Sequence, residues 1–404
     1  MFKLSIKTFA CLLLASMVQA AYAALPTGAT LFDVNIPSFC PGTLFGVTFL
    51  YWEVNVPEYD YAVTFPPDSC GCPLKEGGDF SNLDPESRWN IRVDLGYVFP
   101  CTGNDILLSY LNYHQTDNEF TTLNPLTSII VPTLSGNWPV TTALIINDPL
   151  LEQKIISLTT NPNQVFARAS INHNAFDACF GQSINIGCKT RLRCFGGMRY
   201  ANLSHTEKVH YNFTLFDATN ISIQGPAETS VTVNTGTDIN EIISQQSYFG
   251  GLGPHLGLTL KYHLGYGFGM IGGVSTSLLI GQATAHLDDD FNETLIARVV
   301  SSEIDVIPLG TDFIQFLKMG SHTHFPSQWR VVPNIDGKVG FDYSCQLRKG
   351  KPYQLNAELG FMISQYFNTA DRSNAVAFQQ PQSSIRHTLD TAFQGIYFSL
   401  QFKV

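Results

Sequence analysis

Gly265-Tyr266-Gly267-Phe268-Gly269-Met270-Ile271-Gly272-Gly273-Val274-Ser275-Thr276-Ser277-Leu278-Leu279-Ile280-Gly281 is the stretch that decides the fold of this chain. It lies inside Leu264 to Ala285, which holds no Asp, Glu, Lys, Arg or His. Length and apolarity alone would allow a transmembrane helix, with Gly265, Gly269 and Gly273 as a small packing face. The pattern repeats at period two instead. Tyr266, Phe268, Met270, Gly272, Val274, Thr276, Leu278 and Ile280 fall on one side, large and mostly apolar, and Gly265, Gly267, Gly269, Ile271, Gly273, Ser275, Ser277, Leu279 and Gly281 fall on the other, mostly small. That is a strand with two unlike faces. Each glycine would also cost a helix about 1 kcal/mol.

The same alternation runs outward from this stretch in both directions. Trp89, Ile91, Val93, Leu95, Tyr97 and Phe99 oppose Asn90, Arg92, Asp94 and Gly96. Leu256, Leu258, Leu260, Tyr262 and Leu264 oppose His255, Gly257, Thr259, Lys261 and His263. Val331, Ile335, Val339, Phe341 and Tyr343 oppose Arg330, Asn334, Asp336, Lys338 and Asp342. Tyr353, Leu355, Ala357, Leu359, Phe361 and Ile363 oppose Gln354, Asn356, Glu358 and Ser364. The C-terminus sets Ile396, Phe398, Leu400, Phe402 and Val404 against Tyr397, Ser399, Gln401 and Lys403.

These runs match the ~9–11 residues of a tilted membrane strand better than the ~5–6 of a soluble one. Trp89, Tyr97, Phe99, Tyr343, Tyr353 and Phe367 sit near strand ends, where interfacial girdles belong. Tight turns are expected at Pro100 to Asn104, Ile186 to Thr190, Leu347 to Pro352 and around Gly265. Long polar connections are expected at 56–87, 116–163, 206–246, 287–327 and 368–390. Alternating short and long connections are the mark of an outer-membrane barrel. Strands then fall near 44–54, 88–99, 105–115, 164–182, 190–204, 248–264, 266–282, 328–345, 353–367 and 393–404. That gives an all-β, transmembrane antiparallel β-barrel of ten strands. The count becomes twelve to fourteen if Val209 to Phe213 and Leu295 to Val299 are strands of their own.

Composition agrees. Of 404 residues, 44% are hydrophobic and only 14% charged, which excludes a disordered chain. The net charge of −10 argues against nucleic acid as a partner. Lys3 and Lys7, the apolar run Phe9 to Val18 and Ala21-Tyr22-Ala23 read as a signal peptide over 1–23. Its loss removes Lys3 and Lys7 and takes the charge from −10 to −12. Residues 24–404 then form a single barrel with long outer loops. Cleavage leaves Cys40, Cys70, Cys72, Cys101, Cys179, Cys188, Cys194 and Cys345, an even set in an exported chain, so disulfides within or between chains are expected. Cys70, Cys72, Cys101, Cys179, Cys188 and Cys194 are the candidates, with connectivity open.

A chain spanning lipid must satisfy its backbone internally, and alternating strands do so by closing. The polar face then lines a lumen with Arg92, Asp94, Arg193, Arg199, Lys261, Asp336, Lys338, Asp342 and Glu358. No GxSxG, HExxH or P-loop is present, so no enzyme activity, cofactor or resident metal is expected. Asp288-Asp289-Asp290 lacks an EF-hand spacing and reads as a solvated loop. His322 and His324 lack an evident third ligand. The role of Asp177 stays open.

Three stretches together resemble a known family. They are Asn174-Ala175-Phe176-Asp177 with Arg193-Cys194-Phe195-Gly196-Gly197-Met198-Arg199-Tyr200; Phe249-Gly250-Gly251-Leu252-Gly253-Pro254-His255-Leu256-Gly257 running into Gly265 to Gly281; and the Tyr353 strand with the C-terminal strand. They are similar to the Legionella-type major outer membrane proteins, pore-forming proteins also found in chlamydia-like bacteria. The resemblance spans about Gly42 to Val404 and implies a porin in the bacterial outer membrane, with disulfide cross-linking suiting the cysteines. One departure is the ending Phe402-Lys403-Val404, where such barrels usually finish on an aromatic residue. The expected function is passive diffusion of ions and small hydrophilic solutes. The mixed charges imply weak selectivity, with a slight cation preference from the net charge. The alternative is a surface-exposed structural or adhesin barrel with a plugged lumen; an outer-membrane enzyme ranks last. Expected partners are outer-membrane lipid, the solutes, the barrel-assembly machinery, and a homo-oligomer or disulfide-linked assembly.

Overall fold

Backbone groups facing lipid have no water to bond, so the alternating segments must pair edge to edge until no edge is left. The computed structural model describes residues 34–35, 37, 41–56, 60–65, 79–83, 85–122, 129–132, 140–146, 154–160, 164–217, 231–302, 312–347, 353–375 and 384–404. Ten long strands carry the architecture: β1 Gly42–Asn55, β2 Arg88–Val98, β3 Asn104–Thr122, β4 Gln164–Ile186, β5 Thr190–Asp217, β6 Val231–Gly265, β7 Phe268–Ser302, β8 Asp312–Gln346, β9 Gln354–Ala375 and β10 Ser384–Lys403. Each pairs antiparallel with the next. β10 pairs back onto β1, with Phe402 opposite Phe45 and Tyr397 opposite Leu50, and the ring closes. The signal peptide and Cys40, Cys70 and Cys72 lie outside the described residues.

One end of the barrel carries the tight turns. Phe99 N–H donates to the Asn104 carbonyl at 2.9 Å, closing β2 to β3. Residues 187–189 join β4 to β5, and Leu347 N–H donates to the Tyr353 carbonyl at 3.1 Å between β8 and β9. Between β6 and β7, Tyr266 has φ 52° and Gly267 φ 86°. Two consecutive positive φ values are the two-residue hairpin geometry that follows the twist of the strands. At Gly267 a side chain would run into the Ser344 carbonyl 2.5 Å away. Both ends of the ring's chain, Gly42 and Val404, meet at this same end, where Thr43 and Val404 exchange backbone hydrogen bonds of 3.0 Å.

The other end differs from expectation. The segments 206–246 and 287–327, read from sequence as long polar loops, are mostly strand. Val209 to Phe213 and Leu295 to Val299 are continuations of β5 and β7 rather than additional strands. β6, β7 and β8 each run for 35 residues. At about 3.3 Å per residue each is more than 100 Å long, far beyond the ~9–11 residues that lipid requires. Polarity hides these strands because past the membrane the outward face meets water and carries polar residues such as Lys208, Gln246 and Asn292, while Val209, Tyr211, Ile243 and Phe291 stay buried inside. Shorter strands accompany the ring: Val34–Asn35 on the end of β4, a sheet of Asp60–Phe65, Asp79–Asn82 and Ile129–Pro132, and a hairpin of Val140–Ile146 with Lys154–Thr160.

The outward face is apolar over the middle of the ring. Phe49, Ile91, Leu108, Phe180, Leu258, Val274, Leu278, Phe341, Leu359 and Phe398 are all exposed. Tyr51 lies against Trp89 with ring centroids 5.1 Å apart, and Trp329 and Tyr248 continue that upper girdle. Phe268 against Tyr343 at 4.8 Å and Tyr353 against Phe402 at 6.5 Å mark the lower one. Among the described residues no helix is long and apolar enough to cross a membrane; the strands cross it. Leu278 sits in the belt and is 46% exposed. Leu278→Arg is therefore expected to cost about 2–4 kcal/mol of folding free energy. Urea titration of the barrel in lipid vesicles measures it, and a cost below 1 kcal/mol would place Leu278 outside the hydrocarbon.

Candidate functional site: the barrel lumen

Alternation that points Ile91, Val93 and Leu95 at lipid points Arg92 and Asp94 inward. All nine charged residues read from sequence as lumen-lining face the interior, and each has an ionic partner there. Arg92 pairs with Asp94 at 3.2 Å, Lys261 with Asp342 at 2.7 Å and Lys338 with Glu358 at 3.4 Å. Arg193 makes two bonds to Asp105, at 2.8 and 2.5 Å. Isolated charges would be costly in a narrow interior, and pairing with further hydrogen bonds offsets that cost.

Arg199 holds the most connected position. Its Nε and Nη2 donate to the two oxygens of Asp177 on β4, at 2.6 and 2.8 Å. Its Nη1 reaches across to β8 and donates to Asp336 at 2.6 Å and to Asn334 at 2.5 Å. Asp336 also accepts from Ser275 on β7 at 3.0 Å and from Ser364 on β9 at 2.5 Å. Asn334 is fully buried and accepts from Ser277 at 3.1 Å. One guanidinium thus ties β4, β5 and β8 directly and β7 and β9 through its acceptors. Asp177, whose role the sequence left open, is one jaw of this clamp. Sequence reading also passed over Asp105, because its strand follows a tight turn and its partner lies 88 positions away.

The lumen below this clamp is open. A cavity of about 330 Å³ at the turn end is lined by Arg92, Arg191, Arg193, Lys261, Lys338 and Lys403 and, on the acidic side, by Asp94, Asp105 and Glu358. It adjoins a second cavity of about 130 Å³ beside Arg193, His255 and Arg199. That one adjoins a third of about 30 Å³ between Arg199 and Trp52. The vestibule therefore tapers upward. Its lining is more basic than acidic, so the chain's negative net charge does not describe its lumen.

Above the clamp the charge-lined lumen expected from the alternation gives way to a different interior. It is packed with aromatic and aliphatic side chains. Phe393 of β10 contacts Trp52 of β1 at 5.7 Å, Tyr113 of β3 at 5.1 Å, His173 of β4 at 4.7 Å and Tyr366 of β9 at 6.2 Å. His173 Nε2 and the Tyr366 hydroxyl share a hydrogen bond of 3.0 Å. Leu203, Phe249, Leu279 and Val332 complete the layer from β5 to β8, and all are fully buried. β3 and β4 lie across the ring from β9 and β10, so these contacts span the lumen. A polar tier follows, with Arg330 on Asp371 at 2.7 Å and Arg372 on Glu207 at 3.1 Å. Small side chains on one face are compatible with either a pore or a filled interior, and the sequence does not show which rings meet across it.

The cysteines separate by face. Cys179 points inward and is buried, while Cys194 on the neighbouring strand points outward and is exposed. Opposite faces of a strand pair hold two Cβ atoms apart. Cys101, Cys179, Cys188, Cys194 and Cys345 are free thiols, and no two of them are bridged within the chain among the described residues.

Beyond the upper girdle, Asp288-Asp289-Asp290 and His322 with His324 lie on β7 and β8, on strand rather than loop. His322 Nδ1 and Asp288 are 3.0 Å apart, and this bond raises the affinity of the imidazole for its proton. Asp289 faces inward, and burial with the neighbouring Asp290 pushes its carboxyl up to about 6.

A closed ring of alternating strands, an apolar belt between aromatic girdles and an interior of paired charges define an outer-membrane β-barrel protein. Residues 35–404 match the family described as Legionella pneumophila major outer membrane protein precursor, and the chain belongs to that family. The outer membrane is therefore its location. No curated protein matches the sequence. Among solved structures it is similar to the outer membrane protease OmpT from Escherichia coli, at 9% identity over 94% of this chain and 100% of that one, with a TM-score of 0.37. It is also similar to a Pseudomonas aeruginosa FadL homologue, at 8% identity over 90% of each chain, with a TM-score of 0.23. The Ralstonia pickettii toluene transporter TbuX gives 11% identity over 90% of each, with a TM-score of 0.19.

Proposed function

We propose that this barrel is an outer-membrane channel for ions and small hydrophilic solutes, shut at mid-lumen in the described conformation. The observation that carries the reading is the tapering vestibule, about 330 Å³ at its charged mouth and narrowing to about 30 Å³ between Arg199 and Trp52. The turn end is the periplasmic end by the usual disposition of short turns. Solute enters there against a basic wall and stops beneath the aromatic layer. Conduction needs that layer to part. This keeps the passive diffusion expected from the sequence and adds a gate to it. A second reading, the plugged surface barrel, is favoured by the complete burial of Tyr113, His173 and Phe393.

Planar-bilayer recording of the detergent-purified protein separates the two. The channel reading expects infrequent discrete steps. Their reversal potential in a KCl gradient shows anion preference, because the cations of the lining outnumber its acids. A folded barrel that stays silent even when the aromatic layer is opened by substitution would move the function to surface structure.

A further inference from the structure

The histidines that lacked a third ligand in the sequence acquire one from the register. His286 of β7 is paired with His324 of β8, and Asp288 is paired with His322 one step further along. Residues two apart share a strand face, so all four side chains form one patch on the outward side of the β7–β8 ribbon. His286 Nδ1 and His324 Nδ1 are 2.5 Å apart with the rings at 83°. The patch begins six residues beyond Ile280 in the apolar belt, about 20 Å along the strand. Just below it the ladder is irregular. Ala283 pairs with Gln328 but Ala285 with Phe325, so Thr284 faces both Pro326 and Ser327. Such bulges re-aim neighbouring side chains and recur beside functional sites.

We propose that His286, His322 and His324 form a binding site for a divalent transition-metal ion of the Zn²⁺ class, with Asp288 as the orienting carboxylate. Imidazole nitrogen is the ligand such ions favour. Zn–N bonds of about 2.0–2.1 Å at tetrahedral angles set two nitrogens about 3.3 Å apart. The His286–His324 pair therefore opens by less than 1 Å to admit the ion. His322 already bonds Asp288 through Nδ1, which leaves Nε2 as the nitrogen for the metal. A carboxylate holding the far nitrogen of a ligating imidazole is the usual supporting arrangement of a zinc histidine. Among the described residues no three such groups already surround one point, so the ion draws two neighbouring pairs together. Three histidines leave a fourth position for water.

The test is titration of Zn²⁺ into the refolded full barrel by calorimetry, after alkylation of its thiols so that exposed Cys101, Cys188 and Cys194 do not compete. One equivalent is expected for the wild type. His286→Ala with His324→Ala removes the binding, and Asp288→Asn weakens it by about 10–100-fold. Heat modifiability on gels shows that each variant remains a folded barrel. No binding by the wild type, or undiminished binding by the folded double variant, would overturn the site.

Discussion

Phe393→Ala opens the barrel. Phe393 is the ring that the lumen closes around, touching Trp52, Tyr113, His173 and Tyr366 from both sides of the barrel. Truncating a buried Phe forfeits about 3–5 kcal/mol of packing. The shut state uses those contacts, and a parted layer does not. Every 1.4 kcal/mol is a tenfold change in an equilibrium, so open events become about a hundredfold to a few thousandfold more frequent or longer. The cavity of about 30 Å³ beneath Trp52 then continues upward. Phe398→Ala serves as the control, since that ring faces outward and stacks on Phe49 at 6.5 Å. The readout is open probability in planar bilayers. Equal open probability of both variants would show that the aromatic layer is not the barrier.

Arg199→Ala destabilises the barrel by about 3–5 kcal/mol, because it strands buried carboxylates without their counter-charge. Asp336 is 6% exposed and Asp177 loses both of its guanidinium bonds. Arg199→Lys does not rescue it, since an ammonium offers no fork matching Asp177 while also reaching Asp336 and Asn334. Adding Asp177→Asn and Asp336→Asn to Arg199→Ala recovers part of the loss by removing the stranded charges. Urea unfolding in lipid vesicles gives the four values. A loss below 1 kcal/mol for Arg199→Ala would mean that water reaches the clamp and screens it.

The two expectations rest on unequal amounts of sequence information. The ring itself was legible. Each of the ten segments read from alternation falls on one of β1 to β10, though several strands run well past it, and each tight turn lies where Gly, Pro or polar residues interrupt the pattern. The inward residues were legible for the same reason: once Leu256, Leu258 and Leu260 face lipid, Lys261 can only face in. Outer-loop length was not, since outside lipid the outward face is polar and the buried inner face mixes Val209, Tyr211 and Ile243 with Glu207, Glu241 and Gln245, which blurs the alternation. The aromatic layer was not legible either. Trp52, Tyr113, His173, Tyr366 and Phe393 are separated by as many as 341 positions, and each reads alone as one more large residue on a mixed strand.

Alternation and length are local properties, and they determined by themselves that this chain closes as a membrane barrel, which residues meet lipid and which charges go inside. The physical reason is strict: a side chain on a strand has two directions, and lipid rejects charge from one of them. What fills the interior depends on ring closure and register, which bring Phe393 against His173, Arg199 against Asp336 and His286 against His324. Those meetings decide whether the lumen is a passage or a plug, and where a cation would bind. Only the tertiary structure contains them, because pairwise packing across a barrel leaves no period in the sequence.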